Sequence, residues 1–129
     1  MNIAPAIRAF GEQIGLPDLE LNADGLVSLA LSDEDSMHFE QVQDDLLVYR
    51  LLNKAHISTP ILLRALQASN QQQPKTSWMP HIGLIGQDGQ AQLVLLCRLH
   101  ATLVSEQAIE QAVDELERFK RESIDPLGQ

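Results

Sequence analysis

The short connections between apolar alternations in the middle of this 129-residue chain leave little topological freedom. Val27, Leu29 and Leu31 alternate with Ser28 and Ala30, the period of a strand with one buried face. After the polar turn SDEDS comes a second strand, Met37 to Val42, with Met37 and Phe39 on one face. After Asp44-Asp45 comes a third, Leu46 to Leu52, apolar on both faces except at Arg50, as a central strand would be. Turns this tight make the three an antiparallel meander. Further on, Ile82 to Ile85 and Ala91 to Leu99 flank Asp88-Gly89, a strong hairpin signal.

Helical periods surround these strands. Ile3, Ile7, Phe10 and Ile14 form an apolar stripe, predicting a helix over 3–14 with Pro5 tolerated in its first turn and Gly15 placed to end it. LPDLELNADG then connects to the first strand. Thr59-Pro60 gives an N-cap and first helical residue, and Ile61, Leu62, Ala65, Leu66 and Ala68 continue a helix over 60–70. NQQQPKTSWMP follows as a polar loop, placed to move or to face a partner. Ser105 caps a final helix to about residue 122, with Ile109, Ala112, Val113, Leu116 and Phe119 as its stripe. One turn apart on that helix, Asp114 with Arg118 and Glu117 with Arg121 are favourable pairs. The order α-β-β-β-α-β-β-α is an α+β fold: helices packed on one antiparallel twisted sheet. Residues 1–129 are expected to form one domain, with the tail 123–129 frayed.

Charge narrows the partners. The net charge is −9, from 18 acidic and 9 basic residues. Between Arg8 and Arg50 there is no Lys or Arg, yet Glu12, Asp18, Glu20, Asp24, Asp33, Glu34, Asp35, Glu40, Asp44 and Asp45 all fall there. Such a surface repels a phosphate backbone and an anionic membrane, so neither nucleic acid nor a bilayer is an expected partner. It is either a solvated face or one that steers a basic or polar partner. No segment is apolar for long enough to span a membrane, and MNIAPAIRAF lacks the pattern of a signal peptide. The expected compartment is the cytoplasm.

No residue pattern argues for catalysis. Cys97, the single cysteine, lies in an apolar run and reads as a small buried hydrophobe. His38, His56, His81 and His100 show no metal-ligand spacing with one another or with Cys97, so no metal or other cofactor is expected. Gly83, Gly86 and Gly89 lack a following Gly-Lys-Ser/Thr and read as a hairpin with a bulge rather than a phosphate loop. Surface remains as the carrier of function. The first helix offers an apolar stripe, and the first strand an edge that could accept an added strand.

Three passages together resemble a known family. They are LPDLELNADGLVSLAL at the strand entry, the leucine-rich helix ILLRALQASN, and the hairpin GLIGQDGQAQLVLLCRLH leading into VSEQAIEQAVDELERF. With the acidity and element order, they resemble the class I type III secretion chaperones, the Tir-chaperone-like family, over roughly residues 3 to 120. NQQQPKTSWMP is longer and more polar than a typical member's connection. The resemblance implies a non-enzymatic homodimer in the bacterial cytoplasm. It would bind the N-terminal segment of a secreted effector in extended form and keep it soluble and secretion-competent. It implies effector grooves at Ile3, Ile7, Phe10, Val27, Leu29 and Phe39, and a dimer contact through Ile61, Leu62, Ala65, Leu66, Ile82 and Leu84. Two other readings stay open on the residues alone: a ligand-binding domain or enzyme with a pocket between the sheet and the final helix, and an adaptor for a folded partner.

Overall fold

Alternating burial along adjacent strands builds the fold outward from its sheet. The computed structural model describes residues 3–31, 34–52, 81–87 and 90–124. Helix α1 spans Ile3–Gln13. Strands β1 (Leu26–Ala30), β2 (Ser36–Val42) and β3 (Asp45–Leu51) follow, then β4 (His81–Gln87) and β5 (Gln90–His100). A 3₁₀ turn at Ala101–Leu103 leads to helix α2 (Glu106–Phe119), which continues as a π-helical turn over Lys120–Ile124. The expected helix at 60–70, the loop NQQQPKTSWMP and the Asp88-Gly89 turn lie outside the described residues. So does the tail from 125 on, whereas Ser123 and Ile124 extend the π turn.

The five strands form one antiparallel sheet in the order β1-β2-β3-β5-β4. β3 is central, as its two apolar faces foretold. Val27 pairs with Phe39, Phe39 with Val48, and Val48 with Cys97. Residues directly opposite in such a ladder share a face, so these four form one row across the sheet. β4 and β5 pair without interruption from His81↔Leu96 to Gln87↔Gln90, so Gly83 and Gly86 sit inside the ladder and the expected bulge is absent there. A Cβ on Gly83 would stand 3.2 Å from Val94 Cγ1, so glycine lets the two strands' side chains crowd at this point.

Both helices cover the same face. α2 lies over β3 and β5 and against α1. Ile109, Ala112 and Leu116 are fully buried, as are Leu46, Val48, Leu93, Leu95, Cys97 and Leu99 beneath. Among the described residues, the space between sheet and final helix is thus packed apolar core. Burying each such Leu or Ile contributes roughly 1.5–3 kcal/mol. α1 meets the sheet through Phe10, whose ring is tilted 55° to that of Phe39 at a centroid distance of 5.7 Å. Ser105 caps α2 as expected, its hydroxyl accepting from the Ala108 amide at 3.0 Å.

Candidate docking site

The end of α1 shapes the open side of the molecule. Gly15 takes a left-handed φ of +86°, and the Gly15 and Leu16 amides fold back to the Glu12 and Gly11 carbonyls at 3.3 and 2.7 Å. That is a glycine-terminated helix cap, and it turns the chain back over its own last turn. The return runs so close that a Cβ on Gly11 would lie 2.5 Å from the Leu16 carbonyl oxygen and 2.6 Å from Leu19 Cβ. Leu19 is thereby pressed into the core, while Ile14 and Leu16 remain 45% and 41% exposed. Leu16, Pro17, Asp18 and Leu19 with Leu29 of β1 enclose an open cleft of about 270 Å³.

Beside the cleft, β1 ends the sheet. The Gln41 amide bonds to the Gly25 carbonyl at 2.8 Å and the Leu31 amide to the Asp35 carbonyl at 2.9 Å. By the alternation of antiparallel ladders, Val27 and Leu29 direct their backbone groups inward to β2, and Leu26, Ser28 and Ala30 direct theirs outward. Leu26 is already served, because Asn22 bonds its carbonyl through the main chain and its amide through the side chain. Among the described residues no strand pairs with the outward side of Ser28 and Ala30.

The residues expected to form effector grooves divide in two. Ile3, Ile7, Phe10 and Phe39 are core, at 0–4% exposure, where α1 packs against α2 and sets the Phe10 ring on Phe39 of β2. A partner cannot touch them while α1 is docked. Val27 and Leu29 are half-buried at the rim of that core, and Leu29 lines the cleft. The cleft residues Leu16, Pro17 and Leu19 were missed in the sequence, which shows them only as a turn-rich connection; their convergence needs the close return over Gly11. Of the expected dimer residues, Ile61, Leu62, Ala65 and Leu66 lie outside the described residues. Ile82 and Leu84 stand in β4, the other end strand, in register with Leu95 and Leu93.

Polar groups tie the β1 end to the rest of the sheet. On the face away from the helices, His38 is hydrogen-bonded through Nδ1 to Ser28 Oγ and through Nε2 to Ser36 Oγ, both at 2.7 Å. Its ring stacks on Tyr49 at 4.9 Å, and the Tyr49 hydroxyl donates to Glu40 at 3.0 Å. Burial lowers the pKa of His38, with Glu40 opposing. Burial first, then the hydrogen bond and charge of Glu40, push the Tyr49 phenol up to about 12. On the helix side, buried Arg50 donates from Nε to buried Asp35 at 2.8 Å and also binds Glu117 of α2. Lys120 reaches the same Asp35 oxygen at 3.0 Å. The β1–β2 turn, the central strand and the end of α2 are thus joined by one ionic knot.

No catalytic arrangement emerges from these groups. Cys97 is buried under α2 near the Ala112 carbonyl, and burial, with the charge of Glu115, pushes its thiol up to about 12. That is the reverse of an activated thiolate. His100 accepts from the Thr102 amide to cap the 3₁₀ turn. Among the described residues no group of three or more His, Cys, Asp or Glu could hold a metal ion, and no helix is long and apolar enough to cross a membrane.

Comparison with known proteins decides the family. Residues 5–119 match the Tir chaperone protein (CesT) family. The chain belongs to the Tir chaperone family. Solved structures share its fold at low identity. The Yersinia pestis type III secretion chaperone SycH, in complex with a stable fragment of YscM2, aligns at a TM-score of 0.73 and 14% identity, covering 93% of this chain and 98% of that one. The HopA1–SchA chaperone–effector complex aligns at 0.69 and 16%, covering 94% and 91%. The ExoU–SpcU complex of the Pseudomonas aeruginosa type III secretion system aligns at 0.62 and 21%, covering 94% and 96%. No curated protein matches the sequence significantly.

Proposed function

We propose that this Tir-family chaperone binds the N-terminal segment of a type III secreted effector in extended form, in the bacterial cytoplasm, and keeps it soluble and ready for export. The observation that carries the reading is the junction of an apolar cleft with a strand edge that no described strand pairs with. A segment laid along β1 would bond to the outward groups of Ser28 and Ala30. Its alternate side chains would fall on the face of Val27 and Leu29, over the cleft of Leu16, Pro17 and Leu19. Backbone pairing gives affinity without demanding sequence, and the cleft rewards apolar side chains at every second position. Nothing in this requires a bond to be made or broken. Family membership over residues 5–119 and the chaperone complexes among the structural relatives support it.

A homodimer fits the same reading. Its contact would use Ile61, Leu62, Ala65 and Leu66 with Ile82 and Leu84 of β4, which closes the sheet at the end opposite β1. Pairing there would leave both β1 edges free and double the surface a client can follow.

The test is protease protection. The tagged chain is isolated with its bound protein from the native cytoplasm, and the complex is digested. An N-terminal segment of the bound protein should survive in the complex and be degraded once separated. Equal digestion of that segment with and without the chaperone would refute the proposal.

A further inference from the structure

The carboxylates around the cleft say more about what it takes. Among the described residues, Arg8, Arg50, Arg98, Arg118 and Lys120 each hold a carboxylate: Glu20, Asp35, Asp45, Glu115 and again Asp35. These five cations are therefore already met. Glu12 at the end of α1, Asp18 in the cleft wall and Asp24 before β1 are all exposed, and no described cation pairs with them. No lysine or arginine stands between Arg8 and Arg50 to compensate them from within. Carboxylates beside a low-dielectric apolar wall focus a negative potential over it.

We infer that the occupant of this cleft is an extended segment whose apolar anchors are flanked by lysine or arginine. This rests on the docking reading above and adds to it a charge signature for the client. The apolar wall of Leu16, Pro17, Leu19 and Leu29 takes the anchor. Asp18 in the cleft wall meets a flanking cation, and Glu12 and Asp24, exposed on the elements before and after the cleft segment, add to the negative field that disfavours an acidic competitor of equal hydrophobicity. Discrimination by like-charge repulsion keeps the chaperone off apolar segments of the many acidic proteins around it. Each exposed pair changes affinity by roughly 1.5- to fivefold, so the three carboxylates together set a preference of about tenfold at low salt.

Three synthetic peptides test it. All carry the same alternating Leu/Ser core, flanked by lysines, by serines or by glutamates, and are titrated against the full chain by fluorescence anisotropy. The expected result is about tenfold tighter binding of the lysine-flanked peptide than the serine-flanked one at low salt. That advantage should shrink at physiological salt, and the ratio of lysine- to serine-flanked affinity should fall several-fold in the doubly substituted Asp18→Asn, Glu12→Gln chain. Both substitutions are on exposed side chains, and an unchanged circular dichroism melt checks the fold. Equal binding of lysine- and serine-flanked peptides would overturn the charge signature and leave the docking reading standing. Preference for the glutamate-flanked peptide would overturn the signature outright. Binding of none of the three, with the chain folded, would overturn the docking reading and the signature with it.

Discussion

Replacing Asp35 by asparagine isolates the ionic knot at its centre. Asn keeps the shape and an acceptor, but removes the charge that faces Arg50 at 2.8 Å and Lys120 at 3.0 Å. Asp35 and Arg50 are each 4% exposed and Lys120 12%, so water cannot replace the lost anion cheaply. Breaking a buried pair by removing one partner typically destabilises by about 3–5 kcal/mol. Arg50 retains Glu117, which is 47% exposed, so the lower end of that range is expected. For a urea dependence of roughly 1.5 kcal/mol per molar, the unfolding midpoint should fall by about 2 M. The assay is equilibrium urea unfolding followed by circular dichroism, at one protein concentration so that any self-association acts equally on every variant. A second arm replaces Asp35 by Leu together with Arg50→Met and Lys120→Met. It should recover most of the loss, because no buried charge of the Asp35–Arg50–Lys120 set remains and Glu117, 47% exposed, keeps its contact with water. A midpoint shift of less than about 0.3 M for Asp35→Asn would correspond to about half a kcal/mol. It would show that solvent or neighbouring groups already relieve these charges, and the reasoning from burial would fail.

Other outcomes follow from single contacts. Gly11→Ala puts a methyl 2.5 Å from the Leu16 carbonyl, so the α1–β1 return must move; a loss of roughly 1–3 kcal/mol in urea unfolding and weaker peptide binding are expected. Tyr49 is the only tyrosine, so near-ultraviolet titration of the folded chain reports it alone, with a midpoint near 12. Because the folded state holds that proton more tightly than the unfolded state, stability should decline as pH rises through about 10 toward 12, and Tyr49→Phe should flatten this decline. Ser105→Ala removes the acceptor for the Ala108 amide and should cost about 1 kcal/mol in thermal or urea melts.

Local chemistry made much of the fold legible. Period-two apolar alternation located β1 and β2 within a residue, since a half-buried strand has no other way to sort its side chains, and a run apolar on both faces located β3 as closely. Gly15 and Ser105 marked helix ends because each does a job the helix backbone leaves open. Charge pairing was less legible. Arg118 turns to Glu115 and Glu117 reaches Arg50, in place of the expected Asp114–Arg118 and Glu117–Arg121 pairs. A long flexible side chain answers to whatever tertiary charge is nearest, and a buried guanidinium outweighs a solvated neighbour. The docking site was half visible. Val27 and Leu29 could be named from their strand pattern, but a stripe on a helix does not say whether it faces a sheet or a partner. Ile3, Ile7 and Phe10 turned out to be buried in the core.

Cys97 gives the molecule a built-in clock. It sits on β5 beneath Ala112 of α2, fully buried and bearing a proton that only a strongly alkaline solution would remove. An alkylating reagent can reach it only when α2 lifts from the sheet, and no second thiol exists to confuse the signal. The rate of labelling therefore counts helix-lifting events in the native protein. Comparing that rate with and without a bound segment would show whether occupancy at the distant β1 edge is felt under α2.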